Sequence, residues 1–244
     1  MFHANNLLSH YSCFLLILFS VMFVNYGRAQ DVQLWMDGFV YKNFAKKGEY
    51  EGNVGVSKLL EKQGWGEIYF CNTAAWQASA WYSAEGSLEF HYTNDHEASD
   101  IIEVRPWLAQ KFTFTQFFKA LRIEKPYVYM RLEQRFLFYP EQDTTDTKTR
   151  LRMRLGGRIL LNSSKLTDKT IYIPFFIESF FNFNGEAVER FASKNRVVIG
   201  VGYVFNSKWK AEFDHYIQRS RNTIDDEIEK TDVMLQFKVM HFLD

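Results

Sequence analysis

The 244-residue chain has four prolines, two cysteines and no net charge, and beyond its N-terminus it has no long apolar run. The missing runs exclude helical membrane spans, each of which needs ~20 mostly apolar residues. Charge balance, 29 Lys and Arg against 29 Asp and Glu, argues against a nucleic-acid binder. No Pro-, Gly- or Ser-rich linker divides the chain, so one domain is the simplest count. No metal-ligand spacing, phosphate loop or nucleotide motif occurs, so no cofactor and no metal site are expected.

The sole apolar run, Phe14 to Val24, is 11 residues long, too short to span a membrane but right for the core of a signal peptide. Gly27 and Ala29 stand at the two positions a signal peptidase reads. A signal peptide over 1–29 and a mature domain over 30–244, starting at Gln30, are therefore expected. Cys13 falls inside that signal, which leaves Cys71 as a single packed thiol and allows no intrachain disulfide.

What the chain does have is aromatics, 18% of its residues, and alternation. From Arg150 to Leu155 arginines and apolar residues alternate strictly. A helix would spread Arg150, Arg152 and Arg154 around its girth; a strand puts them on one face and Leu151, Met153 and Leu155 on the other. Other segments behave alike. Arg131, Glu133 and Arg135 oppose Met130, Leu132 and Phe136, and Glu178 opposes Ile171, Ile173, Phe175 and Ile177, with Pro174 requiring a bulge or bend.

In order, the strand-like segments are 31–41, 49–58, 67–76, 80–92, 100–115, 126–139, 150–161, 170–183, 195–205, 209–221 and 232–242. Most exceed the ~5 to 6 residues usual in soluble proteins and suit the ~9 to 11 of a tilted membrane strand. The fold class expected is all-β, an antiparallel up-and-down transmembrane β-barrel of 10 to 12 strands. Because single-chain bacterial barrels use even numbers, ten or twelve is expected, with the first hairpin or the region around Cys71 misread.

Connections sort by charge. Residues 94–100, 141–146 and 224–232 are acidic; the interleaved segments carrying Lys119, Arg122 and Lys125, then Lys165 and Lys169, then Lys208 and Lys210 are basic. One acidic and one basic rim are expected, the acidic one outside because the tight turn Asn206 to Lys208 is basic. Asp95, His96, Glu97 and Asp100 offer oxygens to Ca²⁺ or Mg²⁺, bridging to outer-membrane lipid phosphates, although a solvated loop is the simpler reading.

The pieces E-V-R-P-W (Glu103 to Trp107), R-L-E-Q-R-F (Arg131 to Phe136), R-L-R-M-R-L-G (Arg150 to Gly156), G-V-G-Y-V-F-N-S-K-W (Gly200 to Trp209) and H-Y-I-Q-R-S-R-N (His215 to Asn222) occur in this order. Together they resemble the bacterial family named domain of unknown function 2490. The resemblance implies an outer-membrane barrel in a Gram-negative bacterium and carries over no catalytic residues.

On this reading the inward face bears Glu103 and Arg105, then Arg131, Glu133 and Arg135, then Arg150, Arg152, Arg154 and Arg158, and finally Glu178, Glu212, Asp214 and Lys238. Two functions compete: a structural salt-bridge plug, and a narrow, porin-like pore whose arginines favour small anions. They differ by whether any arginine is left unpaired. A third reading, a soluble periplasmic lipid-binding barrel, needs the charged face outward and Leu151, Met153 and Leu155 inward. For a lipid-modifying enzyme, a His base and Ser or Thr nucleophile must share a strand face. Beyond residue 29 there is no H-x-S, and His91-Tyr92-Thr93 is the sole H-x-T. A rim histidine and no enzyme are expected.

Overall fold

The computed structural model describes residues 31–60, 64–96, 98–114, 123–224 and 230–243. The expected signal peptide and the residues Glu97, Lys119, Arg122 and 225–229 lie outside them.

Every alternating segment is a strand. They are β1 (Val32–Ala45), β2 (Gly48–Leu59), β3 (Trp65–Gln77), β4 (Tyr82–Asp95), β5 (Ile101–Thr113), β6 (Ile123–Tyr139), β7 (Thr144–Leu160), β8 (Ile171–Asn182), β9 (Ala192–Asn206), β10 (Trp209–Arg221) and β11 (Lys230–Leu243). Each hydrogen-bonds its sequence neighbours, and β1 meets β11 to close the barrel. The closed barrel has eleven strands, not ten or twelve, and both suspected segments are real. Parity explains how it closes. With an odd number of up-and-down strands the first and last run the same way, so the seam must be parallel, and β1 and β11 pair from Val32↔Val233 to Lys42↔Leu243. All other pairs are antiparallel.

An odd count also puts the start of β1 and the end of β11 at opposite ends. The connections after β2, β4, β6, β8 and β10 share the end where β1 starts, and those after β1, β3, β5, β7 and β9 share the other. Among the described residues, Asp95, Asp100, Glu141, Asp143 and Asp146 fall at the first end, and Lys125, Lys165, Lys169, Lys208 and Lys210 at the second.

The strands run 12 to 17 residues. A strand of about 12 residues, at roughly 3.3 Å each and tilted ~40°, rises about 30 Å, slightly more than a ~25 Å apolar band. β7 starts at Thr144, six residues before the arginine alternation, because T-T-D-T-K-T is β-branched yet lacks apolar alternation. Pro174 makes no bulge: it faces Arg158 in register, and pairing to β9 lapses only between Tyr172 and Phe175, where a missing N–H costs least. Between β6 and β7 the register shifts instead at Glu124 to Tyr127, beside Pro126, with Lys125 at φ 47°.

Two faces result. Outward stand Val54, Phe70, Leu88, Phe90, Leu108, Leu132, Phe136, Leu155, Ile177 and Phe181, all exposed. Trp76, Trp81, Phe205 and Trp209 ring the basic end, and Tyr92, Phe138 and Phe183 the acidic one. Inward, packing is tight at the glycines: a Cβ on Gly55 would lie 2.2 Å from the Tyr69 ring and one on Gly202 2.2 Å from the Tyr172 ring, so bulk from neighbouring strands excludes side chains there.

Candidate functional site

β7 presents Arg150, Arg152 and Arg154 at every second position, and the neighbouring strands set carboxylates between them. Glu133 of β6 is wholly buried. It faces Arg131 Nε at 2.6 Å, accepts from Arg150 Nε at 2.7 Å and from Arg152 Nη1 at 2.9 Å. Glu178 of β8 accepts from Arg152 Nη2 at 3.0 Å and Arg154 Nε at 3.0 Å, with Arg196 Nε of β9 at 3.5 Å. Around the wall, Glu103 accepts from Arg105 Nε and Arg135 Nε, each at 2.7 Å. Glu89 accepts from Arg131 Nη2 at 2.8 Å, Trp107 Nε1 at 2.6 Å and Arg105 Nη1 at 3.2 Å.

These contacts form one connected network across β4 to β9, and every arginine in it has a carboxylate partner. Buried charge survives only when paired in this way. Aromatic faces complete the solvation. Arg131 lies 4.1 Å from the Trp107 centroid, Arg154 4.2 Å from Phe176 and Arg196 4.7 Å from Phe180, so β8 brackets Glu178 with rings that carry the guanidinium planes.

Not all of the sequence-derived residues belong to this network. Glu212, Asp214 and Lys238 form a separate group between β10 and β11: Lys238 Nζ lies 3.3 Å from Glu212 and also donates to Asp214, and the Tyr172 hydroxyl donates to Glu212 at 2.7 Å. Arg158 stands apart, 3.8 Å from Glu124 and only part-buried. The faces run opposite to those a lipid-carrying barrel would need: Arg150 is 6% exposed, against 40% for Met153 and 53% for Leu155.

On either side of the charged layer lies a cavity. The acidic-end cavity, about 680 Å³, is lined by Trp35, Glu67, Tyr69, His91, Arg105 and Arg135 among others. The basic-end cavity, about 600 Å³, is lined by Tyr41, Glu51, Lys111, Tyr129, Arg154 and Lys238 among others. Phe39, Asn53, Cys71 and Glu89 border both.

The connection between β8 and β9 folds over the acidic end. Its Glu189 accepts from Arg135 Nη1 at 2.9 Å, its Arg190 donates to Asp95 at 2.8 and 2.9 Å, and its Ala187 packs on Leu137 and Tyr139. Asp95 is thereby committed to an arginine. Asp100 accepts from the Tyr92 hydroxyl at 2.6 Å and Asn94 at 2.8 Å, and the Tyr92 hydrogen bond holds its carboxyl below the usual value. Of the loop's acids, Asp95 thus pairs with Arg190, and Asp100 with Tyr92 and Asn94.

Sequence reading missed Glu67, Glu89, Arg196, Glu189 and Arg190. For Glu89 and His91 a signal was present: L-E-F-H-Y alternates, with Leu88, Phe90 and Tyr92 exposed at 40, 44 and 42%. His91 is accordingly not a rim residue but sits inside, Nδ1 2.7 Å from Glu67 and Nε2 3.2 Å from Glu89. Glu189 and Arg190 lie on a connection with no periodicity to read.

No curated protein matches the chain in sequence. The family model described as protein of unknown function (DUF2490) matches residues 32–229, from the first residue of β1 to the residue before β11, and the chain belongs to that family.

Proposed function

We propose that the protein is an integral outer-membrane barrel whose lumen is closed by its own ion pairs, making it a poor conductor rather than an open porin. The observation that carries this reading is the inversion of the faces. Large apolar side chains, with aromatics at both rims, cover the outside, while the arginine and carboxylate network fills the middle. Such a surface in water would be a contiguous apolar patch far beyond what soluble proteins expose, whereas lipid accepts it. Complete pairing of the network arginines favours the plug over an arginine-lined anion pathway. Among the described residues, seven network arginines meet five carboxylates, Glu89, Glu103, Glu133, Glu178 and Glu189, which leaves a positive excess, so any ions that leak through should be small anions. The acidic end faces outward on this reading, because two-residue turns at Lys46-Lys47 and Ser207-Lys208 lie at the other end.

The test is fractionation of cells making the full chain. Retention in the outer membrane after carbonate extraction, with an N-terminus at Gln30, is the expected result. A carbonate-soluble periplasmic protein overturns the reading.

A further inference from the structure

The charged network explains Arg150 to Arg154 and their partners, but it leaves unexplained a group at its edge. β3 and β4 pair so that Cys71 faces Glu89 and Tyr69 faces His91. This brings Cys71 Sγ, a Glu89 carboxylate oxygen and a His91 ring nitrogen within 4.8 Å of one another. All three border the acidic-end cavity. Cys71 is in no disulfide.

We propose that Cys71, Glu89 and His91 bind one borderline-soft divalent metal ion of the zinc class, with the fourth coordination position open to the acidic-end cavity. Thiolate, imidazole and carboxylate are the ligand types such an ion takes, and three protein ligands with one open position is the pattern of a reactive site. Around a tetrahedral ion these donors stand about 3.3 to 3.7 Å apart, so small side-chain rotations close the shell.

A second observation points the same way. A ligating histidine has its other ring nitrogen held by a carboxylate, which fixes the tautomer and strengthens the ligand. Here Glu67 lies 2.7 Å from His91 Nδ1 and leaves Nε2 directed at Glu89, at the longer distance of 3.2 Å. A metal ion entering there replaces only that weak contact. Glu89 keeps Trp107 and Arg131 on Oε1, and Arg105 on Oε2 is also held by Glu103. These donors then orient the ligating carboxylate.

With Cys71 ionised, Glu67, Glu89 and the thiolate supply three negative charges against the two positive ones of Arg105 and Arg131 on Glu89, so one negative charge remains to meet the cation, and the thiol proton is released to solvent as the metal–sulfur bond forms. Ca²⁺ and Mg²⁺, which demand oxygen shells, are excluded by the sulfur and nitrogen donors. The inference concerns the folded lumen and does not depend on which membrane holds the barrel.

The test uses the full protein isolated from membranes in detergent, its fold checked by heat-dependent gel migration. Titration with Co²⁺ should produce a thiolate-to-cobalt charge-transfer band at one ion per chain, and Zn²⁺ should abolish the band. In Cys71→Ser, which keeps the side-chain volume, the band should vanish; in Glu67→Gln affinity should fall by roughly 10- to 100-fold with the band's shape unchanged. Should Cys71→Ser not fold, alkylation of Cys71 in the wild type is the second readout, slowed by Zn²⁺ and indifferent to Ca²⁺. A wild-type protein with no band, a band equally strong in Cys71→Ser, or no protection by Zn²⁺ overturns the site.

Discussion

The two halves of the lumen fill the same space by different chemistry. Across β4 to β9 the filling is ionic, with Glu89, Glu103, Glu133 and Glu178 each touching two or three guanidinium groups. Across β10, β11, β1 and β2, apart from the ion pairs of Lys238 and Lys230, the donors are neutral. Asp37 accepts from Gln236 at 2.6 Å, Asn53 at 3.2 Å and Tyr69, Trp35 donates to Gln33 at 2.9 Å, and Trp35 packs against Phe176, Val198, Tyr216 and Met234. A neutral donor that loses its partner is left with an unmet hydrogen bond, whereas a guanidinium that loses its partner is left with an uncompensated charge. The ionic half should therefore depend on each member far more than the neutral half does.

The largest effect expected is at Glu133, the shared partner of Arg131, Arg150 and Arg152. Glu133→Gln should destabilise the barrel by about 3 to 5 kcal/mol. Asp37→Asn, in the neutral half, should cost about 1 to 3 kcal/mol. Urea unfolding of the barrel folded into vesicles measures both, and equal losses would erase the distinction between the halves.

Next comes the contrast between inside and outside on one strand. Met153→Arg places a charge in the apolar band, at roughly 2 to 4 kcal/mol near its midplane, and should block folding into bilayers. Arg152→Leu should be milder, because Glu133 keeps Arg131 and Arg150 and Glu178 keeps Arg154 and Arg196. Similar folding yields for the two variants would mean that the outward face of β7 does not meet lipid.

A smaller effect should appear in planar bilayers. Wild-type protein should pass little current, with reversal potentials under a salt gradient favouring anions, and Arg152→Glu should shift them toward cations. A large cation-selective conductance in the wild type would refute both the plug and the anion preference.

Smallest is a pH effect at the acidic rim. Because the Asp100 carboxyl is held low by Tyr92, its contribution is complete above the ordinary carboxylate range and is lost as pH falls through the lowered value. Tyr92→Phe should be slightly less stable than wild type at neutral pH and equal to it in strong acid. A difference that persists in strong acid would assign the effect to something other than this hydrogen bond.

Legibility followed periodicity. Arg150 to Leu155 and Arg131 to Phe136 alternate cleanly, and their faces could be sorted without coordinates. Segments without apolar alternation blurred: Thr144 to Thr149 belongs to β7 but offers threonines where an outward apolar residue would mark the face. Residues of the Cys71, Glu89 and His91 group were each visible, yet nothing local links position 71 to positions 89 and 91. Their meeting depends on the β3 and β4 register, which is set by the turn between them and by every other pair along the hairpin. The Glu189 and Arg190 contacts depend on how a connection folds back over the rim, and no period encodes that.

By itself the sequence determined that the chain forms long strands with one apolar and one charged face, because side chains alternate with a period of two whatever the partner strands do. It also determined the sorting of acidic and basic connections, since up-and-down connectivity sends them alternately to the two ends. The tertiary structure alone decided the closure, a parallel seam between β1 and β11, because no residue of either strand encodes which strand lies beyond the edge. It also decided which charge meets which: Glu133 reaches three arginines from its own and the neighbouring strand only because register, twist and curvature bring those side chains to one point in the lumen.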